Sequence, residues 1–153
     1  MKVGFANGCF DLLHPGHIHF LSQCRLHCSY LVVAVNSDDY CRRIKGADRP
    51  ADPLEVRMRH VRAYAEAVFP FEGRSEALIM EIRPDVVLVG WDHAPKGEKY
   101  AARVPNWKAS RNPWWIADIV HIGRLGEFST TLALEERARA QKGDDADGRK
   151  AVP

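Results

Sequence analysis

The chain has 153 residues, inside the ~100–200 residue range of one domain, and folding a chain of this size buries roughly two thirds of its surface. Hydrophobic residues at 46% and charged residues at 27% are ordinary globular values, which excludes a mostly disordered polymer. The 22 basic and 20 acidic side chains leave a net charge of +2, too balanced for a nucleic-acid or membrane surface, so any positive charge a ligand needs must be supplied locally. No apolar run approaches ~18 residues and no secretory leader stands before the first apolar segment; a cytoplasmic protein without a membrane span is expected.

In chain order, Val3-Gly4-Phe5-Ala6 reads as a first buried strand that breaks at Asn7-Gly8. From His17 to Cys28 apolar residues recur at mostly helical spacing, and Tyr30 to Val35 is a β-branched run of the kind covered on both faces of a sheet. Residues 38–52 are polar and read as a loop around a short helix. Pro53 is suited to the first turn of a helix running through Met58, Val61 and Ala65. Ala67-Val68-Phe69 is a third strand, Ser75 caps a helix to Ile82, and Pro84-Asp85 turns into the strand Val86 to Val89. Residues 91–115, rich in Pro, Gly, Lys and Trp, read as a long active-site loop with room for one helix near Glu98–Arg103. Ile116 to Ile122 is a fifth strand and Thr130 to Ala140 a last helix. Residues 1–140 therefore form the domain, and 141–153 a disordered tail with little to bury. This alternation predicts an α/β fold, a Rossmann-like three-layer α/β/α arrangement around a parallel five-stranded sheet, with ligands beyond the carboxyl ends of the strands.

That edge carries Asn7-Gly8-Cys9-Phe10-Asp11-Leu12-Leu13-His14-Pro15-Gly16-His17. Gly8 and Gly16 allow a close backbone approach, and two histidines meet at a helix start, where free N–H groups and the dipole favour an anion. Two imidazoles there can bridge phosphate oxygens; the plainer alternative is that one caps the helix and the other lies at the surface. The cysteines are Cys9, Cys24, Cys28 and Cys41. Cys24 and Cys28 share a helical face but lack a second Cys/His pair to complete a zinc site, so reduced thiols are expected and no side-chain metal site.

The stretch matches G-x-F-D-x-x-H-x-G-H at Gly8, Phe10, Asp11, His14, Gly16 and His17, and in this it resembles the cytidylyltransferase-like nucleotidyltransferases. The resemblance implies transfer of a nucleotidyl group from a nucleoside triphosphate to a small phosphorylated sugar or alcohol, with release of pyrophosphate and no nucleic-acid partner. Arg124 to Thr131 is similar to the R-T-E-G-I-S-T-T hallmark of glycerol-3-phosphate cytidylyltransferases at Arg124, Ser129, Thr130 and Thr131, but not between them. Val33 to Asp38, Lys45-Gly46, Arg49-Pro50 and Pro53 to Met58 look like the adenylyltransferase half of ADP-heptose-synthesising enzymes, as does Asn7 to Asp11. That branch implies ATP as co-substrate, D-glycero-D-manno-heptose 1-phosphate as acceptor, a place in lipopolysaccharide precursor synthesis and a homodimer. Gly90-Trp91-Asp92-His93 departs from the branch's Gly-Gly-Asp-aromatic pattern.

On this reading His14, His17 and Lys45 are the catalytic candidates: the acceptor phosphate is already an anion, so catalysis is positioning and charge neutralisation. Lys45 reaches over the phosphates, or is a solvated surface lysine. Asn7, Gly8, Cys9, Phe10, Asp11 and Gly16 form the nucleotide loop, with Phe10 packing beneath it. Ser129 and Thr130 hold phosphates at the start of the last helix or simply cap it, and Arg124 neutralises the leaving pyrophosphate. Asp92 meets the ribose or the acceptor. Asp38, Arg57 and Trp91 are substrate-binding candidates, with a surface ion pair as the alternative for Arg57, and packing or stacking open for Trp91, Trp107, Trp114 and Trp115. Mg²⁺ is expected to bridge the triphosphate, mostly on substrate oxygens; Asp11 either touches it or braces the loop. Two alternatives stand beside ATP and heptose phosphate: a CTP-dependent enzyme for glycerol 3-phosphate or a similar alcohol phosphate, and a non-catalytic nucleotide-binding module.

Overall fold

Tyr30–Asn36 is buried almost throughout because strands lie on both its edges and helices on both its faces. It is β2 of a wholly parallel sheet that also contains β1 (Val3–Gly8), β3 (Ala67–Phe71), β4 (Val86–Gly90) and β5 (Asp118–Ile122), in the spatial order β3-β2-β1-β4-β5. The helices are α1 (Pro15–His27), α2 (Asp38–Lys45), α3 (Leu54–Val61), α4 (Ser75–Ile82) and α5 (Thr130–Asp147). This computed structural model describes residues 1–73, 75–90, 117–123, 125–126 and 130–147. The predicted helix near Glu98–Arg103, together with Trp91, Asp92, Trp107, Trp114, Trp115, Arg124 and Ser129, lies outside the described residues.

Alternate residues of each strand feed two cores. Ala6, Leu31, Val33, Val35, Val86 and Leu88 pack with Leu21 and Cys24 of α1 and Met58 and Val61 of α3. Phe5, Val32, Ala34, Val87 and Val89 pack with Ile79 of α4. The layers are therefore α/β/α, as the alternation of periods predicts. Gly4 lets the end of α1 lie close, since a Cβ there would sit 2.6 Å from the Cys28 sulfur. Pro70, which has no N–H for a ladder, is tolerated because β3 is an edge strand.

Several element boundaries differ from expectation. β1 runs on to Gly8, and α1 begins at Pro15 rather than His17 because His14 supplies its cap. Pro53 is the N-cap of α3, not its first residue, and the helix stops at Val61, four residues short of Ala65. α5 continues through residues 141–147 to Asp147, where composition predicted a tail from Gln141. Gly143 and the three aspartates are weak helix formers, but propagation from an established helix is easier than nucleation. No described helix is long and apolar enough to cross a membrane.

Candidate active site

β1 emerges between β2 and β4, where the strand order reverses, so the loop after Gly8 stands at the topological switch point of the sheet. Cys9 and Phe10 turn inward and are buried. Phe10 and Leu12 have φ of 50° and 46°, left-handed values that cost a bulky side chain about 1–3 kcal/mol each. Asp11 holds this path. Its carboxylate, 1% exposed, accepts hydrogen bonds of 3.0 Å from the N–H groups of Ala51 and Asp52 and from Arg49 Nε. Of the two roles open for Asp11, the structure shows the brace: the loop after β1 is tied to residues 49–52.

His14 caps α1. Its Nδ1 accepts the Gly16 N–H at 3.1 Å, Pro15 follows in the first turn, and a proton acceptor at Nδ1 leaves the ring's proton on Nε2. An imidazole thus takes the place usually filled by Ser or Asp, and the cap occupies Nδ1 alone. The His17 ring stacks on His14 with centroids 3.7 Å apart, and Phe10 meets His17 edge-on at 5.5 Å. Capping and ligand contact, set apart as alternatives by sequence, are therefore compatible in His14. Burial, reinforced by His14 and Lys45 and only partly opposed by Asp11, lowers the His17 pKa to about 3, so this ring is neutral at physiological pH. Its Nδ1 is buried without a hydrogen-bond partner, a deficit worth about 1–3 kcal/mol of the sort retained where a ligand acts.

Lys45 is the exposed last residue of α2, and its charge acts on both His17 and Cys9, which places it on the same side of the sheet as the loop. Asn7 stands one residue before the end of β1, opposite Ala34. At Gly8 a Cβ would lie 3.1 Å from the Phe10 ring, so the bare backbone lets that ring fold under the loop. Thr130 is the first residue of α5.

Arg57 forms an ion pair, as one expectation had it, but in the core and not at the surface. It is 0% exposed. Nη1 donates to the Cys9 carbonyl at 2.6 Å and the Asn36 carbonyl at 2.9 Å, Nε to the Asp52 carbonyl at 3.0 Å, and Nη2 to Asp38 Oδ1 at 2.5 Å. Asp38, the other substrate-binding candidate, is thus half of this ion pair. One guanidinium links the loop after β1, the end of β2, the start of α2 and the segment before α3. Sequence reading missed this linkage; the available signal was an arginine on the same helical face as Met58 and Val61, a face that points into the core.

Cys24 is buried and Cys28 donates its thiol to the Cys24 carbonyl at 3.3 Å. Burial pushes both pKa values up, so they are thiols. Cys9 and Cys41, distant in sequence, lie together beneath the loop with sulfurs 2.9 Å apart. Among the described residues no three His, Cys, Asp or Glu side chains are grouped to hold a metal ion.

Residues 5–132 match the family model described as cytidylyltransferase-like. The bifunctional protein HldE of Acidiphilium cryptum is 43% identical over 109 residues, covering 69% of this chain and 22% of that protein. The HldE protein of Methylococcus capsulatus is 47% identical over 98 residues, covering 61% and 20%. The chain thus spans about a fifth of the length of these curated relatives. Among solved structures, a lipopolysaccharide core biosynthesis protein from Thermoplasma volcanium superposes with a TM-score of 0.64 at 23% identity, over 82% of this chain and 98% of that one. Pantothenate synthetase from Thermus thermophilus gives 0.62 at 14% identity, over 83% and 57%. Both share the fold. With the family match extending from β1 into α5, the chain belongs to the cytidylyltransferase-like family of nucleotidyltransferases.

Proposed function

We propose that this chain transfers the adenylyl group of ATP to a sugar 1-phosphate, D-glycero-D-manno-heptose 1-phosphate, giving an ADP-sugar and pyrophosphate. The observation that carries the reading is the stacked His14–His17 pair at the N-terminus of α1, beyond the carboxyl end of β1. Two adjacent nitrogen donors beside a positive dipole end fit the oxygens of a phosphate. ATP and the heptose are favoured by the likeness of residues 33–58 to the ADP-heptose branch and by the identity to HldE proteins.

An oxygen of the acceptor phosphate attacks the α-phosphorus, the bond from that phosphorus to the bridging oxygen breaks, and pyrophosphate leaves with the electron pair. His14 and His17 donate to the α-phosphate oxygens as charge gathers on them. Arriving as a neutral ring, His17 gains in the complex the partner its Nδ1 lacks. Lys45 adds a point charge over the phosphates. Asn7 to Asp11 and Gly16 shape the nucleotide loop, Arg124, Ser129 and Thr130 hold the β- and γ-phosphates, and Asp92 and Trp91 meet ribose or acceptor. Both Asp11 carboxylate oxygens are engaged by backbone and Arg49 donors, so the chain is suited to magnesium that arrives with the triphosphate, as MgATP, on substrate oxygens.

Crossing ATP and CTP with heptose 1-phosphate and glycerol 3-phosphate, with Mg²⁺ present, tests this by pyrophosphate release. Release confined to ATP plus the heptose phosphate is expected. Release with CTP and the glycerol compound would transfer the assignment to the alcohol-phosphate reading, and binding of nucleotide without release from any pair would favour a binding module.

A further inference from the structure

Beneath the loop after β1, the Cys41 thiol donates to Cys9 Sγ at 2.9 Å, within roughly 1 Å of a disulfide bond length of ~2.05 Å. Cys9 is 6% exposed and Cys41 fully buried. Asn36 Nδ2 lies 3.6 Å from Cys9 Sγ and Arg57 Nη1 lies 3.7 Å from Cys41 Sγ, so the two sulfurs sit among donors and a buried cation. We propose that Cys9 and Cys41 are a peroxide-oxidisable dithiol that closes into an intrachain disulfide, binding the loop after β1 to α2.

The surroundings determine which thiol reacts first. The hydrogen bond from Cys41, helped by Lys45, Asn36 and Arg57 and opposed by burial, holds Cys9 down at about 6, while the same bond raises Cys41. Cys9 therefore has the greater thiolate character and is also the sulfur nearer solvent, the combination that reacts with small oxidants. At Cys24 and Cys28 burial outweighs the backbone hydrogen bonds and, for Cys28, the nearby Arg25 and Lys2, and holds both up as thiols.

Oxidation takes two steps. The Cys9 sulfur attacks one oxygen of hydrogen peroxide, the O–O bond breaks, and the departing hydroxide takes up the proton Cys9 had released, leaving a sulfenic acid and water. Cys41 Sγ then attacks that sulfur, the S–O bond breaks, and hydroxide leaves with the Cys41 proton as a second water. Two thiols lose two electrons in all, and one peroxide becomes two waters. The effect on turnover rests on the adenylyl-transfer reading. Cys9 lies five residues before His14 and Cys41 four before Lys45, so the bond would fix groups that must adjust around the triphosphate.

The test uses the reduced full chain, treated with hydrogen peroxide, alkylated with N-ethylmaleimide and analysed by peptide mass. The expected product is a Cys9 peptide joined to a Cys41 peptide, with Cys24 and Cys28 alkylated, and dithiothreitol should reverse it. In Cys41→Ser the cross-link should vanish and dimedone should trap a Cys9 sulfenic acid. Alkylation of both Cys9 and Cys41 after peroxide, or a cross-link confined to Cys24–Cys28 or between chains, would overturn the proposal. Pyrophosphate release measured on the same samples should fall at least tenfold on oxidation and recover with dithiothreitol, while Cys41→Ser keeps its activity when reduced. Absence of release from the reduced protein would refute the function reading and leave the mass result to decide the dithiol.

Discussion

Replacing Arg57 with Met keeps much of the side-chain volume and removes five hydrogen bonds, to Cys9, Asn36, Cys41, Asp52 and Asp38. Asp38 is a third exposed and can rehydrate, so losing its partner is the smaller part of the damage. The carbonyls of Cys9 and Asn36 lie beneath the loop, and each unsatisfied buried acceptor costs about 1–3 kcal/mol. With the usual penalty for removing one side of a buried pair, the total is about 3–5 kcal/mol. For a chain of 153 residues this lowers Tm by on the order of 10 °C. Urea unfolding of the two proteins, read by circular dichroism, gives the value. Arg57→Lys should recover little, because an ammonium cannot span the same fork of acceptors. A loss below about 1 kcal/mol for Arg57→Met would refute the claim that this guanidinium holds the loop in place.

Further outcomes follow from the histidine pair and the C-terminal helix. His17→Ala should lower turnover at least ~100-fold, from loss of about 2.7–4 kcal/mol of transition-state stabilisation, with an unchanged circular dichroism spectrum; near-wild-type turnover would remove His17 from the mechanism. The unfolded His17 ring titrates near 6.5 and the folded one near 3, so unfolding takes up a proton between these values. Its contribution to stability is therefore complete above pH 6.5 and is lost as pH falls toward 3, by up to about 1.4 kcal/mol per unit. Wild type measured against His17→Asn should show this slope in urea unfolding between pH 6 and 4, and a constant difference would contradict it. Deleting the residues after Ala140 should leave Tm and pyrophosphate release nearly unchanged, because Glu135 to Ala140 are already exposed along α5; a large fall in either would show that the end of the chain docks.

The sheet was legible because each strand announces itself locally: Tyr30 to Val35 and Val86 to Val89 are unbroken apolar runs closed by Asn or Gly. The loop after β1 was legible for a similar reason, its glycines and histidines falling within ten residues. What escaped depends on contacts distant in sequence. The partners of Asp11 lie some 40 residues away, those of Arg57 up to 48, and Cys41 lies 32 from Cys9. Such pairings follow from the topology that places β2 beside β1, which periodicity does not encode. Cys24 and Cys28, by contrast, stand out in the sequence because they are neighbours on one helix. Cys41 is the one residue that α2 buries, on a helix otherwise made mostly of Asp, Arg and Lys.

The most direct test of the account follows the phosphates of ATP. With ATP labelled separately at the α- and γ-positions, and heptose 1-phosphate as acceptor, the α-label should move into a sugar nucleotide and the γ-label should appear only in pyrophosphate. Transfer of the γ-label to the acceptor, or conversion of ATP to ADP and inorganic phosphate alone, would contradict nucleotidyl transfer at the His14–His17 loop.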